Sequence, residues 1–149
     1  MYRTAELTLC DTVPDPARSV FQLMTASAIH RTWTVVDICR LIIPPIELSQ
    51  CFFAVRSSRV VGFSTWGLFS PETTKDFINR SRPLEPADWS GGNDLWIVDF
   101  IAPHGDARDF VSALKVELCR RFPSHESLRA VRGYPDRHRR IIRLNQSSL

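Results

Sequence analysis

The stretch that most constrains the fold of this chain is a short apolar run that leads into a loop and then a long helical pattern. Residues 95–105 read LWIVDFIAPHG, and six of the first seven are apolar. A run that is apolar on both faces is typical of a strand covered on both sides. Apolar residues then recur at helical spacing as far as Pro123, which ends the pattern. Strand, loop and helix in this order predict a sheet with helices packed on its faces.

Asp99 is the polar exception within that apolar run. Strict alternation places it on the same face as Ile97 and Ile101, while the other face carries Trp96, Val98 and Phe100. A carboxylate in such surroundings costs several kcal/mol unless a partner satisfies it. Two interpretations stay open on the pattern alone: a structural ion pair with one of the arginines, or an acid that serves a function.

Further helices are predicted before and after this strand. The first covers about 16–28, with Asp15 as its N-cap. The second covers about 34–43 and is expected to stop at Pro44 and Pro45. A third is short, at about 70–79, and the helix after the buried strand covers about 106–122, with Asp106 as its cap and Asp109 three residues on.

Four more strands complete the predicted sheet. The β-rich runs at 50–55 and 60–69 are joined by the short polar segment RSSR, which predicts a hairpin. The last two strands are expected at about 128–134 and 140–144. We therefore expect an α+β protein with a mixed sheet flanked by helices, in a single domain over residues 1–149 with its core at about 16–145.

Apolar runs and cysteines exclude several classes of protein. No apolar run approaches the roughly 18–20 residues of a membrane span, and Glu6, Asp11 and Pro14 stand where a signal peptide needs its apolar stretch. The four cysteines are scattered, with no C-x-x-C pair and no histidine at ligand spacing. We therefore expect reduced thiols, no metal site, no integral membrane segment and a cytoplasmic location.

Positive charge is concentrated near the C-terminal end. Residues 120–143 hold eight arginines against two acidic residues, a net charge of +6 in a chain whose total is +3. Such a segment suits an acidic partner, either nucleic acid or an acidic protein, and is equally typical of a solvated surface. No nucleic-acid motif accompanies it, and the aromatic residues do not interleave with the arginines. Nucleic acid is therefore not an expected partner.

The loop between the buried strand and the following helix is a candidate binding corner. A helix that begins just after a strand presents unpaired backbone N–H groups and a positive dipole end. Gly105 lets another molecule approach the backbone closely. Acyltransferases of the GNAT type hold the phosphopantetheine arm of a thioester donor at such a corner. The pattern alone does not distinguish such an enzyme from the many other α/β proteins with a glycine at this place; in an acyltransferase of this type the donor-binding residues would be Ala102, Pro103, His104, Gly105 and Asp106.

Three stretches resemble the RTX toxin-activating lysine acyltransferases. They are SAIHRTWTVVDICRLIIPPIELSQC (27–51), VVGFSTWGLFSPE (60–72) and DWSGGNDLWIVDFIAPHGD (88–106), with support from RRFPSHESLRAVR (120–132). The resemblance runs in order over about residues 20–140. It implies a GNAT-like, mostly antiparallel sheet and a cytoplasmic enzyme. It also implies that the co-substrate is acyl–acyl carrier protein, a phosphopantetheine thioester, with no bound cofactor, and that the acceptors are lysines of an RTX protoxin.

The same resemblance implies three site residues. The family's catalytic histidine falls on His30 and its catalytic aspartate on Asp99, while a serine beside that histidine falls on Ser27 in a supporting role. Amide formation requires a neutral amine, whereas a free lysine has a pKa near 10.4. His30 is therefore expected to act as a general base oriented by Asp99. The alternative, in which His30 is acylated first and passes the acyl group on, stays open.

The chain also departs from the family pattern. His104 stands where an aromatic residue is commoner, and RHRRIIRLN replaces the usual Gly-Lys-Val type of ending. We expect Arg137, Arg139 and Arg140 to bind the acidic acyl carrier protein. A homodimer is compatible with the sequence. Two functions of other classes stay as alternatives: an acyl-carrier-protein adaptor without catalysis, and a basic nucleic-acid-binding module.

Overall fold

The structure is a computed structural model, and it describes residues 5–125, 127–132 and 140–145. A single six-stranded sheet has its strands in chain order. Each neighbouring pair is antiparallel except β4 with β5, which is parallel. The strands are β1 (Thr8–Cys10), β2 (Cys51–Arg56), β3 (Arg59–Phe69), β4 (Asp94–Ile101), β5 (Ser127–Arg132) and β6 (Arg140–Asn145). The α+β class and the mostly antiparallel sheet are thereby confirmed.

Within the described ranges, five helices and two 3₁₀ turns accompany the sheet. The helices are α1 (Pro16–Ala26), α2 (Val35–Leu41), α3 (Ile43–Glu47), α4 (Pro71–Asn79) and α5 (Ala107–Arg121), and the 3₁₀ turns are His30–Thr32 and Pro86–Trp89. In α1, Asp15 accepts a hydrogen bond from the Arg18 amide, as a cap does. No helix in the described ranges is long and apolar enough to cross a membrane.

One local prediction was wrong at a chain turn, and one short strand was not predicted. Pro44 and Pro45 do not end the helical segment, because they lie in the first turn of α3, where a missing N–H costs little. The helix breaks two residues before Pro44 instead, at Ile42, which separates α2 from α3. β1 was not predicted, since three residues are too few to show an alternation.

The hairpin between β2 and β3 turns more tightly than RSSR suggests. Arg56 and Arg59 are the paired ends of the two strands, which leaves only Ser57 and Ser58 in the turn. Both serines have positive φ, 50° and 61°, the geometry that a two-residue hairpin loop of the right twist requires.

The predicted alternation along β4 is interrupted by a bulge. Asp99 is opposite Thr65 and Ile97 is opposite Trp66, so Val98 has no partner on β3. An extra residue in one strand changes the face on which the following side chains project. Ile97 packs in the cluster beneath α5, whereas Ile101 packs with residues of α1 on the opposite face. Asp99 therefore does not share a face with Ile97, as strict alternation predicted.

Each face of the sheet carries its own apolar cluster. The α5 face holds Phe52, Ala54, Trp66, Phe110 and Leu114, among others. The α1 face holds Val20, Leu23, Met24, Ile42, Phe53, Phe63 and Ile101. Because β4 is covered on both sides, a side chain re-aimed by the bulge still lies in apolar surroundings. The fold thus sets Asp99 within the face that α1 covers.

Candidate active site

His30 and Asp99 meet between the start of a 3₁₀ turn and the middle of β4. His30 Nε2 lies 2.8 Å from Asp99 Oδ1, and the two side chains are only 6% and 12% exposed. The carboxylate has no proton to give in its ionised form, so Nε2 carries the hydrogen and donates it. The predicted pair is therefore in contact.

Ser27 lies on the other side of the same imidazole. Its hydroxyl oxygen is 2.7 Å from His30 Nδ1, and it also accepts a hydrogen bond from the His30 backbone amide at 3.4 Å. Ser27 is the C-cap of α1, and the 3₁₀ turn that starts at His30 brings residue 30 back over it. Since Nε2 carries the hydrogen, Nδ1 of the neutral ring accepts and the Ser27 hydroxyl donates.

The imidazole ring is otherwise held by apolar contacts. The Trp33 ring lies 4.7 Å from the His30 ring, centroid to centroid, and Trp33 packs against the apolar cluster of the α1 face. Ser27 is less buried than His30. Both nitrogens of the ring are thus engaged, and the more accessible end of the chain of hydrogen bonds is the serine.

Two hydroxyls of β3 lie beside the Asp99 backbone and side chain. Ser64 donates a hydrogen bond to the Asp99 carbonyl oxygen at 2.8 Å. Thr65, which is paired directly with Asp99 across the strands, is fully buried. Neither Thr65 Oγ1 nor Asp99 Oδ2 has a hydrogen-bond partner among the described residues. Thr65 could not be predicted from the sequence, because only the register of β3 against β4 identifies it.

The loop that was predicted to bind the donor follows β4 directly. Gly105 has a φ of 94°, in the region that favours glycine. Asp106 occupies the N-cap position of α5, but its side chain makes no capping hydrogen bond. The prediction that Asp106 caps α5 was wrong, because its carboxylate binds Arg56 instead. Arg56 Nε lies 2.8 Å from Asp106 Oδ1.

Arg56 ties three segments together at this corner. It binds Asp106, contacts Asp109 Oδ2 at 2.7 Å and donates to the carbonyl of Ala5. The hydrogen bonds that Arg56 donates to Asp109 and Asp106 raise the pKa of Arg56, which keeps it cationic. The two carboxylates at the start of α5 are therefore both bound by a residue of β2, whose single positive charge compensates one of their two negative charges.

An open cavity of about 870 Å³ lies between α1 and the β2–β3 turn. His104 lines it, together with the apolar side chains Val13, Leu23, Ala26, Val55 and Val60. The cavity thus extends from the loop after β4 to the last turn of α1, whose C-cap is Ser27. Of the predicted donor-binding residues, His104 alone is among those that line it.

The basic C-terminal end is only partly described. Arg137 and Arg139 lie outside the described residues, and Arg140 is described only as the first residue of β6. Arginines nearer to the core pair with acids: Arg120 and Arg121 with Glu117, and Arg129 with Asp94. The role predicted for Arg137, Arg139 and Arg140 stays a prediction.

The described residues contain no group of three or more histidine, cysteine, aspartate or glutamate side chains that could hold a metal ion. All four cysteines, which lie in these ranges, are free. Burial raises the pKa of the Cys51 thiol to about 12, with a further contribution from Asp11. Cys51 is therefore a protonated, inert thiol at neutral pH.

The chain is similar to known proteins over most of its length. The model of the RTX toxin acyltransferase family matches residues 18–146. The RTX-II toxin-activating lysine-acyltransferase ApxIIC of Actinobacillus pleuropneumoniae is 31% identical over 115 residues, which are 77% of this chain and 69% of that protein. Lysine-acyltransferase RtxC of Vibrio cholerae is 29% identical over 76% of this chain and 74% of its own length. The protein-lysine myristoyltransferase HlyC of Escherichia coli is 31% identical over 78% and 65%.

Solved structures show the same fold at low sequence identity. The loading GNATL domain of CurA from Lyngbya majuscula has a TM-score of 0.53 at 16% identity, covering 89% of this chain and 69% of that one. A GNAT-family acetyltransferase from Listeria monocytogenes has a TM-score of 0.53 at 12% identity, covering 87% and 78%. The expectation of a GNAT-like fold is thereby confirmed.

Proposed function

This chain belongs to the RTX toxin acyltransferase family, and we propose on that basis that it transfers a fatty acyl group from acyl–acyl carrier protein to lysine side chains of an RTX protoxin. It is a protein-lysine N-acyltransferase, as its named relatives are. In this proposal His30 is the general base, Asp99 orients it, and Ser27 relays the proton.

The observation that carries this proposal is the continuous hydrogen-bonded chain Ser27–His30–Asp99. A carboxylate bonded to Nε2 fixes the tautomer in which Nδ1 is free to accept a proton, and it stabilises the imidazolium that forms. Because His30 is buried and its Nδ1 faces Ser27, a proton from a substrate amine reaches the ring through the serine hydroxyl. The arrangement suits general-base catalysis.

The reaction balances when two protons are counted. The lysine arrives as an ammonium ion, and its first proton passes through Ser27 to His30 and on to solvent, which leaves the neutral amine. The lysine nitrogen attacks the thioester carbonyl carbon, and a C–N bond forms. Its second proton passes to Ser27 Oγ while the serine proton passes to His30 Nδ1, and Asp99 stabilises the resulting imidazolium. The C–S bond then breaks, and the proton returns through Ser27 to the leaving thiolate of the pantetheine. The enzyme ends in the protonation state in which it began.

Donor binding is proposed at the corner formed by Ala102, Pro103, His104, Gly105 and Asp106. The positive φ of Gly105 leaves the backbone open to close approach. The start of α5 carries the carboxylates of Asp106 and Asp109, which share the one cation Arg56. The negative charge that remains there does not favour a donor with several phosphate charges. That balance supports a donor with a single phosphodiester, as on a carrier protein.

The alternatives of other classes explain less. A non-catalytic adaptor has no use for a buried histidine whose two nitrogens are both bonded to side chains. A nucleic-acid-binding module accounts only for the arginines after residue 120. We place the enzyme in the cytoplasm, where four free cysteines are ordinary.

Intact-mass spectrometry tests the proposed function. The chain is co-expressed with an RTX protoxin from the same genome, and purified protoxin is examined for acyl-sized mass increments that map to lysines. The proposal predicts such increments with the unmodified chain and their absence with His30→Ala. An unmodified protoxin in both cultures, with the enzyme folded and acyl–acyl carrier protein available, contradicts it.

A further inference from the structure

Thr65 is a buried hydroxyl that packing alone does not explain. The residue is fully buried on the face of β3 that looks toward α1, and its Oγ1 has no hydrogen-bond partner in the described part of the chain. A valine fills nearly the same volume and buries no unpaired hydroxyl. Burial of an unsatisfied polar group is unfavourable, so this hydroxyl calls for a second function.

The register of the sheet places that hydroxyl beside Asp99. Residues that are directly paired across antiparallel strands project from the same face, with Cβ atoms about 4.5–5.5 Å apart, and Thr65 is the partner of Asp99. Oδ1 of the carboxylate accepts from His30, while the buried Oδ2 has no partner among the described residues. A donor without an acceptor thus adjoins an acceptor without a donor.

We propose that Thr65 is a positioning residue that, by rotation of its side chain, donates its hydroxyl to Asp99 Oδ2 whether or not substrate is bound, and so sets the strength with which Asp99 acts on His30. Rotation about χ1 moves the hydroxyl between staggered positions without any backbone shift. The hydrogen bond stops the carboxylate from turning away from Nε2 and disperses part of its charge. This inference rests on the proposed function, because it assigns His30 the task of accepting a proton.

The other groups near His30 and Asp99 are uncharged, already hydrogen-bonded or apolar, so Thr65 is the group whose hydrogen bonding can change. On β2, Cys51 is paired with Thr65 and holds a protonated, uncharged thiol at neutral pH. Asp11, next to that thiol, is bound by Arg121. On the ring itself, Nδ1 is taken by Ser27. The remaining core side chains on this face are apolar: Val20, Leu23, Met24, Ile42, Phe53, Phe63 and Ile101.

The pH dependence of kcat tests this role. In Thr65→Val the carboxylate loses its second donor, so its charge holds the imidazolium more tightly, and the acid limb of the profile moves to higher pH. We expect a movement of about one pH unit, the size that one hydrogen bond to a charged group produces. KM for the carrier protein stays within twofold, and Thr65→Ser restores the wild-type profile.

Thr74→Val is the matched control. Thr74 is also a buried threonine, and its hydroxyl donates to the carboxylate of Asp94 at the far end of β4, at 2.7 Å. This variant loses a structural hydrogen bond and some thermal stability but keeps the acid limb of the wild type. An unmoved acid limb in Thr65→Val, or one moved to lower pH, overturns the proposal.

A measurement without substrate separates this inference from the proposed function. In protein labelled on its histidine rings, the His30 signals, assigned with His30→Gln, are followed against pH by NMR. The proposal predicts the same upward movement in Thr65→Val, even if no acyl transfer is found. Should Thr65→Val fail to fold, Thr65→Ala carries the comparison, because it needs no additional space. Identical titrations of His30 in wild type and variant refute the inference.

Discussion

His30 Nε2 donates to Asp99 Oδ1 at 2.8 Å, across 69 positions of sequence. The contact joins the turn after α1 to the bulged segment of β4, and both side chains are nearly inaccessible to solvent. A buried imidazole bonded to a carboxylate on one side and a hydroxyl on the other is the arrangement that hydrolytic triads use to move one proton. Its order along the ring is reversed here, with the carboxylate on Nε2 and the hydroxyl on Nδ1.

The first prediction is that His30→Ala and Asp99→Asn each lower lysine acylation by at least about 10²-fold, the usual contribution of a positioned base. Removal of the base leaves the amine protonated, and removal of the charge leaves the imidazolium unsupported. Mass spectrometry of the protoxin provides the measurement. Near-normal acylation by either variant shows that the assigned pair is wrong.

The same Asp99→Asn variant is expected to fold with little loss of stability. The carboxylate is buried and one of its oxygens has no partner among the described residues, so loss of the charge removes a desolvation penalty. Its melting temperature should lie within about 3 °C of the wild type or above it. A large drop instead identifies Asp99 as a structural residue.

The second prediction concerns the relay. Ser27→Ala should lower kcat about 10–100-fold with little effect on KM, because the buried ring then lacks a path for the proton. Thr25→Ala is the control: it removes a hydroxyl two residues earlier, one that bonds the carbonyl of Gln22. Initial rates at saturating carrier protein are compared. A Ser27→Ala rate within twofold of the wild type means that His30 acts without the serine.

Sequence reasoning identified Asp99 because one charge in an apolar run is visible without a structure. It could not show the face on which Asp99 lies. The bulge at Val98 reverses the alternation, and no glycine or proline within 95–101 marks it. Alternation alone therefore assigned Ile97 and Asp99 to one face.

Contacts between residues far apart in the sequence could not be predicted from local patterns, because only the fold brings such residues together. Asp106 has the sequence of a helix cap, but the acid binds Arg56, 50 residues earlier. Nothing in the sequence marked Thr65 as a site residue, since only the register of β3 against β4 places it opposite Asp99. The link between His30 and Asp99 came from the family resemblance, because nothing in the spacing joins two residues so far apart.

The third prediction is that the basic end binds the carrier protein. Reversal of Arg137, Arg139 and Arg140 to Glu should raise KM for acyl–acyl carrier protein more than it lowers kcat. High salt should reduce the effect, since exposed charges are screened within about 8–10 Å. The charge-matched control reverses three cations elsewhere, Arg18, Lys75 and Lys115. A salt-independent effect, a loss confined to kcat, or an equal effect of the control contradicts the prediction.

The fourth prediction concerns the carboxylate of Asp88, in the 3₁₀ turn Pro86–Trp89. Hydrogen bonds from Arg82, Thr73 and the Glu85 amide hold the pKa of Asp88 below its ordinary value, with Arg82 the largest cause. A lowered pKa in the folded state stabilises the protein above the unfolded pKa of about 3.9 and is lost as pH falls through the folded value. Asp88→Asn should therefore melt about 3–6 °C lower at pH 7.

That deficit should persist down to about pH 4 and shrink below it, as the wild-type carboxylate becomes protonated. Thermal melts by circular dichroism between pH 7 and pH 2.5 provide the measurement. Glu72→Gln is the control, because Glu72 is exposed and makes no ion pair in the described part of the chain. A deficit that stays constant with pH shows that the lost interactions do not depend on the charge of Asp88.

The last prediction distinguishes a proton relay from an acyl-enzyme. Both ring nitrogens of His30 are engaged, Nε2 by Asp99 and Nδ1 by Ser27, so acylation of the ring breaks one of these hydrogen bonds. A relay needs no such loss, and the donor and the lysine then meet in one ternary complex. Enzyme incubated with acyl–acyl carrier protein alone should keep its unmodified mass, and initial-rate plots against either substrate should intersect. Parallel plots and an acyl-sized increment that transfers to a protoxin lysine at a competent rate would refute the relay. Peptide mapping of that increment would then assign the acyl group to His30 or to Ser27.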